Sequence, residues 1–230
     1  MPRPEPTPPS PYPMPFTRVE TVTLSLMEAR LRVLLVRRAA APFAETWALP
    51  GGVLRIDRDA SLEAAARRVL RERLVVDAGD LQQMETVGGA QRDPRAPWTL
   101  SVVYRALVPA GSLVPVPGKR VREVAWFDVD HELPSRPLAF DHGPLIARAV
   151  ARLRADVARL ELPLGALAPT FTLGELQAWC EQLLGRNLDK SSFRRRLAER
   201  DLVEALPGER REGPFRPAQV YRAREATPHD

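Results

Sequence analysis

The sequence predicts a mixed α/β domain followed by a small second domain of two helices and a β-hairpin. Between residues 19 and 162, strand-like apolar segments are interleaved with two segments of helical periodicity. After residue 170, two short helical segments precede two strand-like segments. The stretch 162–170 contains proline and glycine and interrupts the periodicity between the two parts, so it predicts a domain boundary.

The composition excludes several classes of protein. The chain has 230 residues, of which 44% are apolar, and this fraction is sufficient for a folded core. No apolar run approaches the roughly 18 residues that a membrane span requires. The single cysteine, Cys180, excludes an intrachain disulfide. We therefore expect a cytoplasmic protein with no membrane partner.

The first domain is expected to be an α/β (α+β) sandwich. Its predicted strands cover 21–27, 31–38, 83–88, 100–108 and 121–127. A helix is predicted over 61–74, with an apolar stripe on one side and solvated arginines on the other. A second helix is predicted over 140–162, with Asp141 as its N-cap.

Three segments divide the chain. Eight prolines among the first sixteen residues predict a disordered tail over 1–16. The mixed domain is then expected over 17–162 and the second domain over 163–226. In the second domain a helix is predicted over 171–185, between the N-cap Thr172 and Gly185. A further helix that runs into a short strand is predicted over 188–203, and a hairpin over 204–223.

The second domain carries the positive charge of the chain. From Arg186 to Arg224 there are eleven lysines and arginines against six acidic residues, an excess that equals the net charge of +5 of the whole chain. Phe193 and Leu197 are four apart and are expected to face inward. The order helix, helix with a basic face, basic hairpin is that of a winged helix-turn-helix, and it predicts binding of double-stranded DNA. The predicted DNA-binding residues are Lys190, Ser191, Arg194 and Arg195 on the helix, and Arg210, Arg211 and Arg216 on the hairpin.

An alternative interpretation of this basic run is a merely solvated helix surface. A second basic cluster at the hairpin tip, on the same small domain, favours DNA binding over that alternative.

The segment LPGGVLRIDRDASLEAAARRVLRERLVV (49–76) resembles a Nudix box, in which a Gly-Gly turn leads through a loop into a helix ending R-E-U-x-E-E-x-G-U. With Arg68 aligned to the motif arginine, the metal-binding glutamates fall on Val69, Glu72 and Arg73. Valine supplies no oxygen ligand, and an arginine repels a cation. Val75 stands where the family has glycine. We therefore expect a Nudix-like domain without a competent catalytic metal centre, and hence no enzyme.

Asp59 and Glu63 are the other candidate metal ligands near this helix. Both are expected at its opposite end, more than two turns from Glu72, and so are poorly placed to restore the site.

A Nudix cleft without metal still offers groups that bind a diphosphate. We expect backbone donors at the Gly-Gly turn, guanidinium groups from nearby arginines, and an aromatic ring that stacks on a base or ribose. The predicted ligand-binding residues are Arg37, Arg38, Trp47, Gly51, Gly52, Arg55 and Arg92. Alternatives remain open for two of them: Trp47 as a core residue, and the RDPR segment 92–95 as a solvated turn. His142 is interpreted as structural.

Both halves together are similar to one family, the NrtR transcriptional regulators of bacterial NAD metabolism. The similarity is carried by FTLGELQ, LGRNLDKSSFRR and RPAQVYR in the second domain and by PFAETWALPGG, RDPR and FDH in the first. It implies a homodimeric repressor that senses ADP-ribose, needs no cofactor and binds a palindromic operator. Related Nudix-type regulators sense sugars or their phosphates, so the effector stays open within these classes.

Two other function classes remain as alternatives. One is a Mg²⁺-dependent Nudix hydrolase of the ADP-ribose pyrophosphatase type with an accessory nucleic-acid-binding domain, against which Val69 and Arg73 speak. The other is a nonspecific nucleic-acid adaptor, which would show salt dependence but no sequence preference.

Overall fold

The computed structural model describes residues 14–77, 81–133, 135–212 and 217–224. The first part contains β1 (Phe16–Met27), β2 (Arg30–Arg38), β3 (Trp47–Ala48), β4 (Gly51–Val53), α1 (Leu62–Leu74), β5 (Gln82–Gly89), β6 (Thr99–Val108), β7 (Val121–Asp128) and α2 (His142–Ala158). The second part contains a 3₁₀ turn (Leu164–Ala166), β8 (Thr170–Thr172), α3 (Leu173–Leu184), α4 (Lys190–Glu199), β9 (Val203–Arg211) and β10 (Ala218–Ala223).

Strand β1 is the centre of a seven-stranded sheet of order β3-β2-β1-β6-β5, in which β4 also pairs with β1 and β7 with β2. It runs antiparallel to β2 and β4 and parallel to β6. Residues 18–25 of this strand are all buried, because both faces of the sheet are covered. One face packs on α1, and the other packs on α2. The predicted α/β sandwich is confirmed.

Helix α1 occupies almost the predicted range. Ser61 caps it by accepting a hydrogen bond from the Ala64 amide at 3.0 Å. The predicted stripe is buried apart from Leu62, which is only partly covered. Val75 ends the helix with φ at 59°, a left-handed conformation that glycine adopts more easily than a β-branched residue. This left-handed backbone conformation explains why the Nudix family has glycine at this position.

Helix α2 is shorter than predicted at both ends. The range 140–162 was expected, but the helix begins at His142 and ends at Ala158. Leu160, with φ at 60°, turns the chain out of the helix. Asp141 occupies the N-cap position without making a capping hydrogen bond, because its carboxylate is bound by Arg92 instead. The predicted N-cap position is thus confirmed, but the Asp141 side chain does not cap the helix.

The second part of the chain has the predicted helix, helix, hairpin order. Thr172 and Glu175 form a capping box at the start of α3, and Gly185 ends it with φ at 68°. Phe193 and Leu197 are buried, as predicted. Strand β8 completes a three-stranded sheet of order β8-β10-β9. The hairpin tip 213–216 and most of the predicted tail lie outside the described residues, and β1 already begins at Phe16.

Across the described ranges, α2 and the shorter helices fall below the length and apolar character that a bilayer span demands.

Candidate functional site

A cleft rich in arginine lies beside the Gly51–Gly52 turn, between the sheet and α1. Five guanidinium groups line it, and they come from widely separated segments of the chain: Arg18, Arg38, Arg73, Arg95 and Arg120. The floor is formed in part by Gly51 and Gly52 of β4. Gly51 faces Glu20 across the β1–β4 ladder, and its carbonyl accepts a hydrogen bond from Arg73 Nε at 3.3 Å.

The carboxylates near this cleft are fewer than its arginines. Asp93 is buried and accepts from Arg18 Nη1 at 3.1 Å and from Arg95 Nε at 2.8 Å. Arg38, by contrast, donates to the carbonyl oxygens of Pro42 and Ala40. Among the described residues, Arg73 donates to the carbonyls of Gly51 and Lys119. Within the described parts of the chain, Arg38, Arg73 and Arg120 have no carboxylate partner, so the cleft carries uncompensated positive charge.

The crowding of like charges is visible in the pKa of Arg38. Burial, together with the positive charges of Arg18, Arg95 and Arg73, lowers this pKa to about 10. The pKa of Arg73 is lowered in the same way, by burial and by the neighbouring Arg120 and Arg18. A bound anion would offset this repulsion, so the geometry suits a phosphate-containing ligand.

An aromatic ring partly offsets the charge. The guanidinium carbons of Arg18 and Arg38 lie 5.1 and 5.0 Å from the centre of the Phe140 ring. Both distances are within the range of a cation–π interaction. Phe140 belongs to the FDH segment, which therefore contributes directly to the organisation of the cleft.

Beneath the cleft, Glu20 is buried with positively charged and polar partners. Arg18 Nε lies 3.2 Å from its carboxylate, and His142 Nε2 lies 3.4 Å away. His142 Nδ1 accepts from the Leu49 amide at 2.9 Å, so the imidazole connects two parts of the fold. Burial alone would raise the pKa of Glu20, but His142, Arg18 and Arg92 outweigh it and lower the pKa to about 2. The structure gives His142 the structural role that was predicted.

The RDPR segment is not a solvated turn. Arg92 donates to both oxygens of Asp141, at 2.7 and 2.8 Å, and thereby fixes the start of α2. Asp93 is only 2% exposed and anchors two arginines of the cleft. Arg92 is not among the residues that line the cleft, and its role as a ligand contact stays a prediction.

The positions of the Nudix metal ligands hold no suitable donor set for Mg²⁺. Val69 is buried, and a Cβ added to Gly52 would lie 2.7 Å from its Cγ2, so the methyl group fills the space above the turn. Glu72 is paired with Arg55 at 3.3 Å and with Arg68 at 3.4 Å. Over the ranges that the structure covers, no three His, Cys, Asp or Glu side chains are grouped as metal ligands.

One prediction about these carboxylates is wrong. Asp59 was expected far from Glu72, but the loop folds back over α1. Arg68 donates to Asp59 at 2.7 Å and to Glu72 at 3.4 Å, which brings the two acids to the same guanidinium. Glu63 instead pairs with Arg67 on the exposed side of the helix. Arginines thus neutralise the acids that could have bound a cation.

Of the predicted ligand residues, Arg38, Gly51 and Gly52 line the cleft. The others lie elsewhere. Three of them form ion pairs: Arg37 with Glu45 and Glu123, Arg55 with Glu72, and Arg92 with Asp141. Trp47 packs edge-on against Phe127, with ring centres 4.7 Å apart. Trp47 is partly buried and packs against the core, which favours the core alternative, and its ligand contact stays a prediction.

Sequence reasoning missed Arg18, Arg73, Arg95 and Arg120. Arg73 carried a usable signal, because an arginine at a position where Nudix enzymes bind a cation indicates a site that binds an anion. Arg95 belongs to the RDPR segment, for which a ligand contact is one of the two interpretations of the sequence. Arg18 and Arg120 carried no signal, because only the tertiary fold brings them to the cleft.

The second candidate surface is the outer face of α4. Lys190, Ser191, Arg194 and Arg195 are all exposed, on the side opposite the buried Phe193 and Leu197. Arg210 is exposed on β9. Arg211 binds the Glu175 carboxylate at 2.6 Å, so it joins the hairpin to the start of α3. The predicted Arg216 lies outside the described residues.

Replacing Glu20 tests the buried network. Because the pKa of Glu20 in the folded state lies below its ordinary value of 4.5, its ionised form stabilises the fold above pH 4.5, and this contribution is lost as the pH falls toward 2. We expect Glu20→Gln to lower the free energy of unfolding at pH 7 by about 3 kcal/mol. The difference from the wild type should shrink between pH 4.5 and 2, as urea unfolding at each pH can measure.

Glu28→Gln is the matched control, since Glu28 is an exposed carboxylate paired with Arg32 in the turn that follows β1. Its unfolding profile should follow the wild type at every pH. A gap between wild type and Glu20→Gln that stays constant from pH 7 to 2 would contradict the electrostatic account.

Comparison with known proteins identifies both halves of the chain. Residues 17–149 match the family model of the NUDIX domain, and residues 163–223 match that of the NrtR DNA-binding winged helix domain. The predicted winged helix is thereby confirmed. The chain is 37% identical over 204 residues to the "ADPR responsive transcriptional repressor NtrR" of Acinetobacter baylyi, and the match covers 89% of this chain and 80% of that protein.

Two solved structures of Shewanella oneidensis NrtR are also similar. The structure complexed with a 27mer DNA is 36% identical, with a TM-score of 0.76, and covers 90% of this chain and 93% of that one. The NUDIX domain complexed with ADP ribose is 34% identical, with a TM-score of 0.59, and covers 64% of this chain and 94% of that one. The arginine-lined cleft and the basic helix therefore lie in a protein that belongs to the NrtR family of Nudix-related regulators.

Proposed function

We propose that this protein is a transcriptional repressor of NAD-related genes that binds operator DNA through its winged helix and releases it when ADP-ribose occupies the NUDIX domain. The observation that carries this proposal is the arginine-lined cleft, in which Arg38, Arg73 and Arg120 have no carboxylate partner among the described residues. The relatives support it, since one is named for its response to ADPR and another was solved with DNA and with ADP ribose.

The chemistry of the cleft fits the diphosphate of ADP-ribose. Among the described residues, Arg38 and Arg73 donate to backbone carbonyls and have no carboxylate partner, so both guanidinium groups can turn toward phosphate oxygens. Arg120 adds a third cation at the mouth. Gly51 leaves room for the buried side chains of β1, because a Cβ there would lie 3.1 Å from Glu20 Cγ and 3.3 Å from Arg18 Nη2.

The DNA-binding face is proposed to make two kinds of contact, one with base edges and one with the phosphate backbone. Arg194 and Arg195, exposed in the middle of α4, suit guanine edges in the major groove. Lys190, Ser191 and Arg210 suit the phosphate backbone. Arg211 is assigned a positioning role through Glu175, and Arg216 stays a proposed wing contact. A homodimer would place two such faces on the half-sites of a palindromic operator.

The NUDIX domain is proposed to bind its ligand without hydrolysing it. Hydrolysis in this fold needs carboxylates that hold Mg²⁺, and here Val69 is buried against Gly52 while Arg73 reaches the carbonyl of Gly51. No step of the proposed function passes through a metal.

A DNA titration with and without ligand tests the proposed function. The probe is DNA from upstream of this gene and its neighbours, and the readout is fluorescence anisotropy or gel shift. Saturating ADP-ribose should weaken DNA binding at least about fivefold, the lower range of allosteric coupling. Equal affinity with and without ADP-ribose, on a probe that the protein binds specifically, contradicts the proposal.

The same protein, incubated with ADP-ribose and Mg²⁺ or Mn²⁺, distinguishes a regulator from a hydrolase. AMP should not accumulate above the rate of the buffer alone. Release of AMP at ordinary enzymatic turnover would reverse this assignment.

Two neighbouring arginines test the ligand cleft. Arg38 lines it, whereas Arg37 points away and pairs with Glu45 and Glu123. Because a hydrogen bond to a charged group contributes about 1.5–3 kcal/mol, Arg38→Gln should weaken ADP-ribose binding at least about tenfold by calorimetry. Arg37→Gln is the control and should keep the wild-type affinity. Equal losses in both variants would refute the assignment of the cleft.

Arg195 and Arg210 test the two kinds of DNA contact. Arg195→Ala should cost about 1–3 kcal/mol on the operator and leave binding to unrelated DNA almost unchanged, because a base contact carries the specificity. Arg210→Ala should weaken binding to both DNAs by the same factor and flatten the salt dependence. The assignment fails if Arg195→Ala leaves operator affinity intact or if Arg210→Ala loses only specific binding.

A further inference from the structure

We infer that Arg196 is a positioning residue that transmits occupancy of the ligand cleft to the recognition helix α4 through helix α2. The inference rests on the proposed function and deepens it, because it names the contact through which the two domains communicate. The sequence groups Arg196 with Arg194 and Arg195 in one basic run, but the structure gives it a different partner.

Arg196 faces the other domain and not the DNA-binding surface. Its side chain is partly buried, and Nη2 donates to the carbonyl oxygen of Ala158 at 2.9 Å. Ala158 is the last residue of α2. The carbonyl end of a helix carries partial negative charge, so a guanidinium at this position is favourable as a charge as well as a hydrogen-bond donor. Arg194 and Arg195 are exposed on the outer side of α4.

A second contact fixes the same junction. Arg154 of α2 donates through Nε to the carbonyl of Leu183, in the last turn of α3, at 3.0 Å. Its Nη2 binds the Asp130 carboxylate at 2.6 Å, so this arginine is held from the first domain. The apolar core continues across the junction, because Phe171, Leu176 and Trp179 belong to the same cluster as the buried face of α2.

The other end of α2 begins at the ligand cleft. Asp141 and His142 open the helix, and Arg92 binds Asp141 through two hydrogen bonds. Asp93, the next residue after Arg92, holds the cleft arginines Arg18 and Arg95. A ligand that draws these guanidinium groups toward its phosphates therefore acts on the segment that positions the start of α2.

Helix α2 is suited to carry a displacement between these ends. Its 17 residues span about 25 Å at 1.5 Å per residue. Leu145, Leu153 and Val157 are buried along its length, so one face of the helix is in contact with the core from its first turn to its last. A ligand shifts a conformational equilibrium only through its preference for one of the two conformations. For ADP-ribose to affect DNA binding through α2, a change in the position of α2 has to change the position of α4. The hydrogen bond from Arg196 to Ala158 joins the two helices directly.

Measurement of a coupling ratio tests this inference. The ratio is the Kd for operator DNA at saturating ADP-ribose divided by the Kd without it. In Arg196→Gln the ratio should fall below twofold, while the affinity of the DNA-free protein for ADP-ribose stays within twofold of the wild type. Arg196→Lys keeps a cation that can reach the same carbonyl and should restore most of the ratio.

Arg194→Gln is the matched control, because Arg194 is two residues away on the exposed face. It should weaken DNA binding with and without ADP-ribose by the same factor and keep the wild-type ratio. A wild-type ratio in Arg196→Gln overturns the inference, as does an equal loss of DNA affinity in both states, which would make Arg196 a DNA contact. A wild-type protein whose own ratio is one contradicts the proposed function itself, and the inference falls with it.

Hydrogen exchange of the wild-type protein gives a test that does not depend on the folding of any variant. ADP-ribose should change the exchange of backbone amides at the carboxyl end of α2, over 155–161, as well as around the cleft. Exchange that changes at the cleft and stays unchanged at 155–161 overturns the inference.

Discussion

The pairing of Asp93 with Arg18 and Arg95 is the interaction on which the arrangement of the cleft depends. A carboxylate that is 2% exposed is costly unless it is paired, and here two guanidinium groups from different parts of the chain pair with it. In return, Asp93 allows two arginines to stand close together beside Arg38. Without this carboxylate, the positive charges of Arg18 and Arg95 would repel each other in a partly buried cleft. One buried carboxylate thus stabilises a site whose net charge is positive.

Helix α1 corresponds to the helix that carries the metal ligands of a Nudix hydrolase. At two of the three aligned positions it has Val69 and the positively charged Arg73. Val69 fills the space above Gly52 with a methyl group, and Arg73 reaches the Gly51 and Lys119 carbonyls. The fold is preserved because these positions need only an apolar contact and a hydrogen-bond donor to hold the loops together. Five arginines line the cleft, and a positive charge of this kind attracts anions such as phosphate esters.

Local patterns predicted most of the fold, and packing decided the ends of its elements and the members of its site. Periodicity and capping residues are local, so α1, α3 and the burial of Phe193 and Leu197 followed from the sequence. The end of α2 did not, because the residues from 159 to 162 continue its helical pattern and only Leu160, with its positive φ, shows where the chain turns. The four missed arginines are distant in sequence and meet only in the folded chain.

The sequence by itself determined the two-domain architecture and the basic character of the second domain. It also predicted Val69 and Arg73 at two of the Nudix metal-binding positions, because residue type and spacing are read directly from the chain. Only the tertiary structure decided which arginines act where. Arg37 and Arg38 are adjacent in β2, yet one lines the cleft and the other pairs with surface acids, because successive side chains of a strand point to opposite faces. Arg195 and Arg196 are likewise adjacent in α4 but point in different directions around the helix. Arg195 is exposed, whereas Arg196 donates to the carbonyl of Ala158, and only the packing of the two domains brings that carbonyl within its reach.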